Sequence, residues 1–225
     1  MKHVVFEPWI GNEYQTSSIF EKKILVIGES FYCSEEEADK YAATLTKKVV
    51  TDYLAIRDGE FRENKGEWTN TYLKFERSLF GKVTTPEDSR RIWNSIAFYN
   101  YLQVPMSGAR ESGATIDYKK AEEAFFEVLN KLQPDLIIVW GVGKLFNNLP
   151  EDRWTWGKPL DVDGWDINNG YYQLNNEKQV RCIAVYHPST GYQWDWWHKV
   201  IKGELEATKS RISFRINGTL SEKVL

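Results

Sequence analysis

Four short apolar runs limit what this chain can fold into. They read Lys23-Ile-Leu-Val-Ile27, Ile96-Ala-Phe-Tyr-Asn100, Asp135-Leu-Ile-Ile-Val-Trp140 and Arg181-Cys-Ile-Ala-Val-Tyr186. None alternates polar with apolar residues, so each fits a strand covered on both faces rather than one with a wet side. Amphipathic helical patterns lie between them. Ser34 followed by Glu35, Glu36 and Glu37 is a capping box that opens a helix running past Leu54. Two shorter helices follow, around residues 70–80 and 86–93. Residues 117–132 form a helix with Ala121, Ala124, Phe125, Val128 and Leu132 on one face. Strands alternating with helices predict a parallel sheet with helices on both faces, an α/β/α sandwich around four mainly parallel strands.

The remaining segments are decorations on that frame. No repeat or Pro/Gly-rich linker divides the chain, so residues 1–225 read as one domain, with 34–92 a helical insertion. Residues 151–180 are aromatic and polar, with Asn175-Asn176 between two strand-like runs, which predicts a ribbon or hairpin. A final helix spans 194–207, and 212–216 reads as a short edge strand. Seven of the ten Trp fall between Trp140 and Trp197. Trp93 and Trp140 read as core, and Trp194 and Trp197 as a buried helix stripe with Ile201 and Leu205. Trp196 falls off that stripe, and Trp154, Trp156 and Trp165 sit in the ribbon.

Composition removes several classes. Two cysteines, Cys33 and Cys182, are too few for a disulfide scaffold, a four-Cys zinc site or an iron–sulfur cluster, so no metal or cofactor is expected. Reduced thiols, no signal-peptide pattern at the N-terminus and a longest apolar run of only 136–142 predict a cytoplasmic protein without a membrane span. A net charge of −3 argues against coating nucleic acid by bulk charge, while leaving room for a local contact. The tail is locally basic (Lys199, Lys202, Lys209, Arg211, Arg215, Lys223), which fits a solvated helix face or a phosphate contact.

In parallel α/β sheets, sites form at the carboxyl ends of the strands. Gly141-Val-Gly-Lys144 does not make a phosphate loop, because Ile138 stands where the first Gly is required and Leu145 where Ser or Thr is. The first strand ends Gly28-Glu29-Ser30-Phe31-Tyr32-Cys33, a carboxylate and a hydroxyl in a turn. The fourth ends Tyr186-His187-Pro188-Ser189-Thr190-Gly191, where Pro fixes the turn and Ser offers a hydroxyl and an amide to a phosphate.

These motifs together resemble the uracil-DNA glycosylase superfamily, over residues 23–200. Gly28-Glu29-Ser30-Phe31-Tyr32 is similar to the family's first motif, Phe98-Tyr99-Asn100 to its Asn-bearing second strand, Val139-Trp140-Gly141 to its Trp-Gly strand end, and His187-Pro188-Ser189 to its closing motif. The resemblance implies hydrolysis of the N-glycosidic bond of a base flipped out of DNA. It implies that His187 donates to the departing base, that Asn100 reads the base edge and that Tyr32 walls the pocket, with Phe31 a stacking candidate by position. It further implies that Ser189 grips a flanking phosphate and that Thr190 to Gln193, Tyr192 included, form the wedge against DNA. Where the best-known branch has a water-activating Asp this chain has Ser30, which leaves Glu29 as the carboxylate of the turn. The resemblance implies no cofactor, DNA as partner and a monomer.

Two other readings stand beside it. Gly28-Glu29-Ser30 with Asp195-Trp-Trp-His198 also resembles the SGNH esterases, with Ser30 as nucleophile, His198 as base and Asp195 as its orienter. That reading requires His198 within hydrogen-bond reach of Ser30. The third is a non-catalytic nucleic-acid or nucleotide binder on the same fold.

Overall fold

A computed structural model describes residues 1–60, 66–106 and 113–217, with the side chains of residue 35 and of 208–217 excepted. The strands are β1 (Trp9–Ile10), β2 (Ile24–Gly28), β3 (Ile96–Asn100), β4 (Leu136–Trp140), β5 (Trp154–Trp156), β6 (Leu160–Val162), β7 (Trp165–Ile167), β8 (Asn169–Gln173) and β9 (Gln179–Val185). The helices are α1 (Glu35–Tyr41), α2 (Leu45–Arg57), α3 (Trp68–Phe80), α4 (Pro86–Asn94), α5 (Thr115–Leu132) and α6 (Trp194–Asn217).

The four apolar runs form the parallel centre of the sheet, in the order β3-β2-β4-β9. Every residue of β2, β3 and β4 is buried, as expected for strands covered on both faces. Helix α5 covers one face, packing Ala121, Phe125, Val128 and Leu132 against Leu25, Ile27, Tyr99 and Val139. Helices α2, α3, α4 and α6 cover the other, where Tyr53, Phe75, Trp93 and Ile201 meet Val26, Phe98, Ile138 and Val185. The result is a mixed α/β fold with helices on both faces of a central, mainly parallel sheet.

That sheet has seven strands, three more than the apolar runs predict. The short β1 adds antiparallel to β3 at one edge, and β8 and β5 add antiparallel beyond β9 at the other. Asn175 and Asn176 do lie between two strands, but the second of these is β9 itself. The aromatic segment is therefore largely an extension of the sheet, with only β6–β7 standing apart. Its packing explains this: Trp154 lies over Gly170, where a Cβ would come within 2.2 Å of the indole, and against Tyr172 at 4.9 Å.

Two further expectations change. The helix opened by the Ser34–Glu37 capping box breaks after Tyr41 into a 3-10 turn before α2 begins. There the Thr44 hydroxyl donates to the Tyr41 carbonyl, a local bond that competes with the helical ladder. At the C-terminus the backbone stays helical through Asn217, so no edge strand forms at 212–216. Of the basic tail, Lys199 pairs with Asp163 at 2.6 Å and Lys202 with Glu206 at 3.9 Å, while the side chains of Lys209, Arg211, Arg215 and Lys223 lie outside the described residues. Among the described residues no helix is long and apolar enough to cross a membrane.

Candidate active site

The strand order sets the location. From β2 the chain first goes to β3 on one side, then crosses back over β2 to β4 on the other. Such a reversal opens a crevice at the carboxyl ends of the strands. A cavity of about 450 Å³ lies there, lined by Gly28–Tyr32 after β2, Phe98 and Asn100 of β3, Trp140 of β4, His187 after β9, and Val49, Asp52, Trp68, Thr71 and Tyr72 from α2 and α3.

The β2 and β3 ends are built as a pair. Gly28 stands opposite Asn100 in the parallel register, and a Cβ on Gly28 would meet the Asn100 Oδ1 at 2.2 Å. The glycine therefore makes room for the amide, which is only 4% exposed and donates from Nδ2 to the Ser30 carbonyl at 3.1 Å. Past the strands the two segments continue side by side. The Tyr101 and Leu102 amides donate to the Gly28 and Glu29 carbonyls, the Met106 amide to Phe31, and the Cys33 amide to Met106. The turn holding Glu29 and Ser30 is thereby fixed by backbone bonds on both sides of the site.

Glu29 is half-buried and accepts a hydrogen bond from the Tyr118 hydroxyl of α5. Burial, together with that carboxylate, pushes the Tyr118 phenol above its usual range, so Tyr118 remains a donor across the physiological range. The Ser30 Oγ is buried and has no hydrogen-bond partner among the described residues, and neither does the Trp140 Nε1. Phe31 is buried, edge-on to Phe6 at 5.3 Å in a small satellite cluster with Ala38 and Leu45. Tyr32 is 54% exposed at the rim.

His187 is oriented from its own turn. Its Nδ1 accepts the Ser189 amide at 3.2 Å and lies 2.7 Å from the Ser189 Oγ, while the Thr190 amide closes the turn onto the His187 carbonyl. A backbone N–H can only donate, so Nδ1 is the unprotonated nitrogen and the neutral ring carries its proton on Nε2. Burial lowers the His187 pKa from its ordinary value; Glu29 opposes that shift and Lys144 adds to it. The ring sits edge-on to Trp140 at 6.1 Å.

Of the expected site residues, Glu29, Ser30, Phe31, Tyr32, Asn100 and His187 share this cavity. Ser189 and Thr190 are exposed beside it. Tyr192 departs from its expected place against DNA. It is 5% exposed, its hydroxyl lies 2.7 Å from the Ser78 Oγ, and its ring stacks on Trp197, so packing against α3 and α6 takes it out of reach. The esterase triad does not assemble either. The His198 Nδ1 is 2.9 Å from the Ser78 carbonyl and the ring packs over Gly81, and the Ser30 Oγ has no hydrogen-bond partner among the described residues.

The helical wall was not legible in the sequence. Trp68 sits at the mouth, 39% exposed and edge-on to Tyr72, and Tyr72 meets both Phe98 and Trp140 on the floor. Asp52 faces the same space while paired with Lys48 one helical turn earlier. The only sequence signal for this wall is the Trp68–Thr71–Tyr72 spacing, which reads equally as a core-facing helix stripe. A second cavity, also about 450 Å³, adjoins the His187 turn between Tyr186, Trp165, Trp196 and Trp197; Trp196, off the buried helix stripe, is half-buried there. Among the described residues no group of three or more His, Cys, Asp or Glu is placed to hold a metal ion.

Compared with known proteins, the chain matches no family model and no curated protein.

Proposed function

We propose that the protein is a glycosylase-like hydrolase with a uracil-DNA glycosylase-like fold, acting on the N-glycosidic bond of a base flipped out of DNA. The observation that carries this reading is the meeting of Glu29, Asn100 and His187, from three different strand ends, around one aromatic-walled cavity. A flipped base needs flat apolar walls, groups that read its edge and a shielded place for water. Phe98, Tyr72, Trp140 and Trp68 supply the walls, and the Asn100 amide offers a donor and an acceptor.

Cleavage of such a bond builds positive charge on the sugar and sends the bonding electron pair to the base. In this reading the Glu29 carboxylate, held by Tyr118, faces the sugar, where it stabilises that charge and accepts a proton from the attacking water. The Nε2–H of neutral His187 donates to the carbonyl oxygen of the departing base, and the Ser189 turn keeps that proton on the correct nitrogen. Ser189 and Thr190 then lie exposed beside the site, where a flanking phosphate would meet the Thr190 hydroxyl.

The test is a panel of single- and double-stranded oligonucleotides carrying uracil, hypoxanthine, xanthine or alkylated bases, scored for abasic sites. Abasic product that disappears in His187→Ala supports the reading. Absence of product from every lesion overturns it and leaves a non-catalytic binder.

A further inference from the structure

Among the described residues the cavity wall combines aromatic faces with acidic groups and holds no fixed positive charge. Phe31, Tyr32, Trp68, Tyr72, Phe98 and Trp140 are aromatic, Glu29 and Asp52 are carboxylates, and among the described residues no Lys or Arg lines the space. Lys48 partly balances Asp52 from outside the lining, whereas Glu29 is bonded to the neutral Tyr118 phenol. Aromatic faces present negative potential to a cation, and partial desolvation strengthens the attraction. A wall of this composition rejects anions and discriminates weakly among neutral rings. Two donors of lining residues, the Ser30 Oγ and the Trp140 Nε1, are buried and lack hydrogen-bond partners among the described residues.

We infer that the cavity selects a planar nucleobase bearing a fixed positive charge, such as a ring-N-alkylated purine, over its neutral counterpart. The inference rests on the glycosylase reading for its chemistry and on the wall composition alone for its binding. Charge on the ring also changes the reaction. The C1′–N9 bond breaks with its electron pair going to N9, so the cationic base leaves as a neutral molecule. Water adds to C1′ and its proton passes to the Glu29 carboxylate, completing hydrolysis without an added co-reactant. Because the leaving base develops no negative charge, the turn needs less help than a neutral base would demand. That accounts for Ser30 in the position where the resembling family's best-known branch carries an Asp. His187 then serves mainly to read an acceptor on the base.

Two arms separate the sources of such a ring. In the first, the free nucleosides 7-methylguanosine and guanosine are titrated against the intact chain in mildly acidic buffer, followed by tryptophan fluorescence and calorimetry. The methylated nucleoside is expected to bind about tenfold tighter, equivalent to ~1.4 kcal/mol. Trp68→Ala, at a residue 39% exposed, is expected to cut that preference to about twofold, and Trp68→Phe to restore most of it. In the second arm, oligonucleotides carrying one 7-methylguanine, uracil or hypoxanthine are scored for abasic sites above the spontaneous rate. Faster release of the methylated base, with the binding preference, upholds both readings. Release of uracil or hypoxanthine at an equal or higher rate overturns the charge selectivity and leaves the glycosylase reading intact. Preferential binding of the cation with no abasic product from any oligonucleotide overturns the glycosylase reading and leaves the cation site. Equal binding of the two nucleosides with no product overturns both.

Discussion

Replacing Gly28 by Ala tests the central packing relation of the site. The added Cβ would stand 2.2 Å from the Asn100 Oδ1 and 3.2 Å from the Phe98 Cζ. The first distance is about 1 Å short of contact, so the amide must swing away, whereas the ring needs to yield only slightly. Swinging breaks the Nδ2 bond to the Ser30 carbonyl, now 3.1 Å. Losing that bond costs ~1 kcal/mol net, and holding Asn100 off its rotamer adds ~0.5–1.5 kcal/mol. Stiffening of the unfolded chain by Ala offsets ~0.5 kcal/mol. The expected net loss is about 1.5 kcal/mol, which at ~2–4 °C per kcal/mol for a chain of this size lowers Tm by about 3–6 °C. The diagnostic measurement is the double-mutant cycle with Asn100→Ala, read by calorimetry. Without the amide the clash disappears, so Gly28→Ala becomes neutral or slightly stabilising in that background, and the coupling is ~2 kcal/mol. Equal destabilisation in both backgrounds, or a raised Tm in the otherwise native chain, would refute the claim that this glycine exists to seat Asn100.

Three other outcomes follow from the same geometry. Ser30→Ala removes a buried hydroxyl without a partner, so the free protein should gain ~1 kcal/mol while cleavage persists at a reduced rate; a fall in Tm with complete loss of activity would restore Ser30 as an essential nucleophile. Glu76→Ala strips the acceptor from Thr84, Ser89 and Trp93 in a fully buried site that clamps α3 to α4, and should cost ~3–5 kcal/mol in denaturant titration; a loss within ordinary surface values would contradict the network. The acid limb of kcat/KM should have its midpoint below 6.5, because His187 must stay neutral to accept the Ser189 amide and burial lowers its pKa. Stability follows the same sign. Between the lowered folded value and 6.5 the unfolded chain binds more protons, so this contribution is complete above 6.5 and is lost as pH falls through the folded pKa. A midpoint at or above 6.5 would remove His187 from the neutral-donor role.

The parallel centre of the sheet was legible because full burial leaves an unambiguous trace: five consecutive apolar residues exclude a strand with a wet face. The strand-end rule then pointed to the turns after these strands, and the family resemblance singled out Glu29, Asn100 and His187 within them. The antiparallel extension was less legible, since β5 to β8 are short, aromatic and polar, and their place depends on Trp154 finding Gly170 across the sheet. Tyr192 was misread for a related reason. Only the resemblance placed it against DNA, and the approach of Ser78 from α3 made it core.

Local pattern along the chain thus determined the α/β alternation, the buried strands and the turns that carry polar groups, because each depends on neighbours within a few residues. The tertiary structure alone decided which aromatics become walls. Trp68, Thr71 and Tyr72 lie on a stripe that periodicity cannot distinguish from core, and Asp52 on a helix whose register toward the sheet depends on how α2 and α3 pack. It also decided that Ser30 and Trp140 keep buried donors without partners among the described residues, and that His198 is held by Ser78. These are relations between residues many positions apart, set by close packing of whole elements, and no local pattern encodes the distance between them.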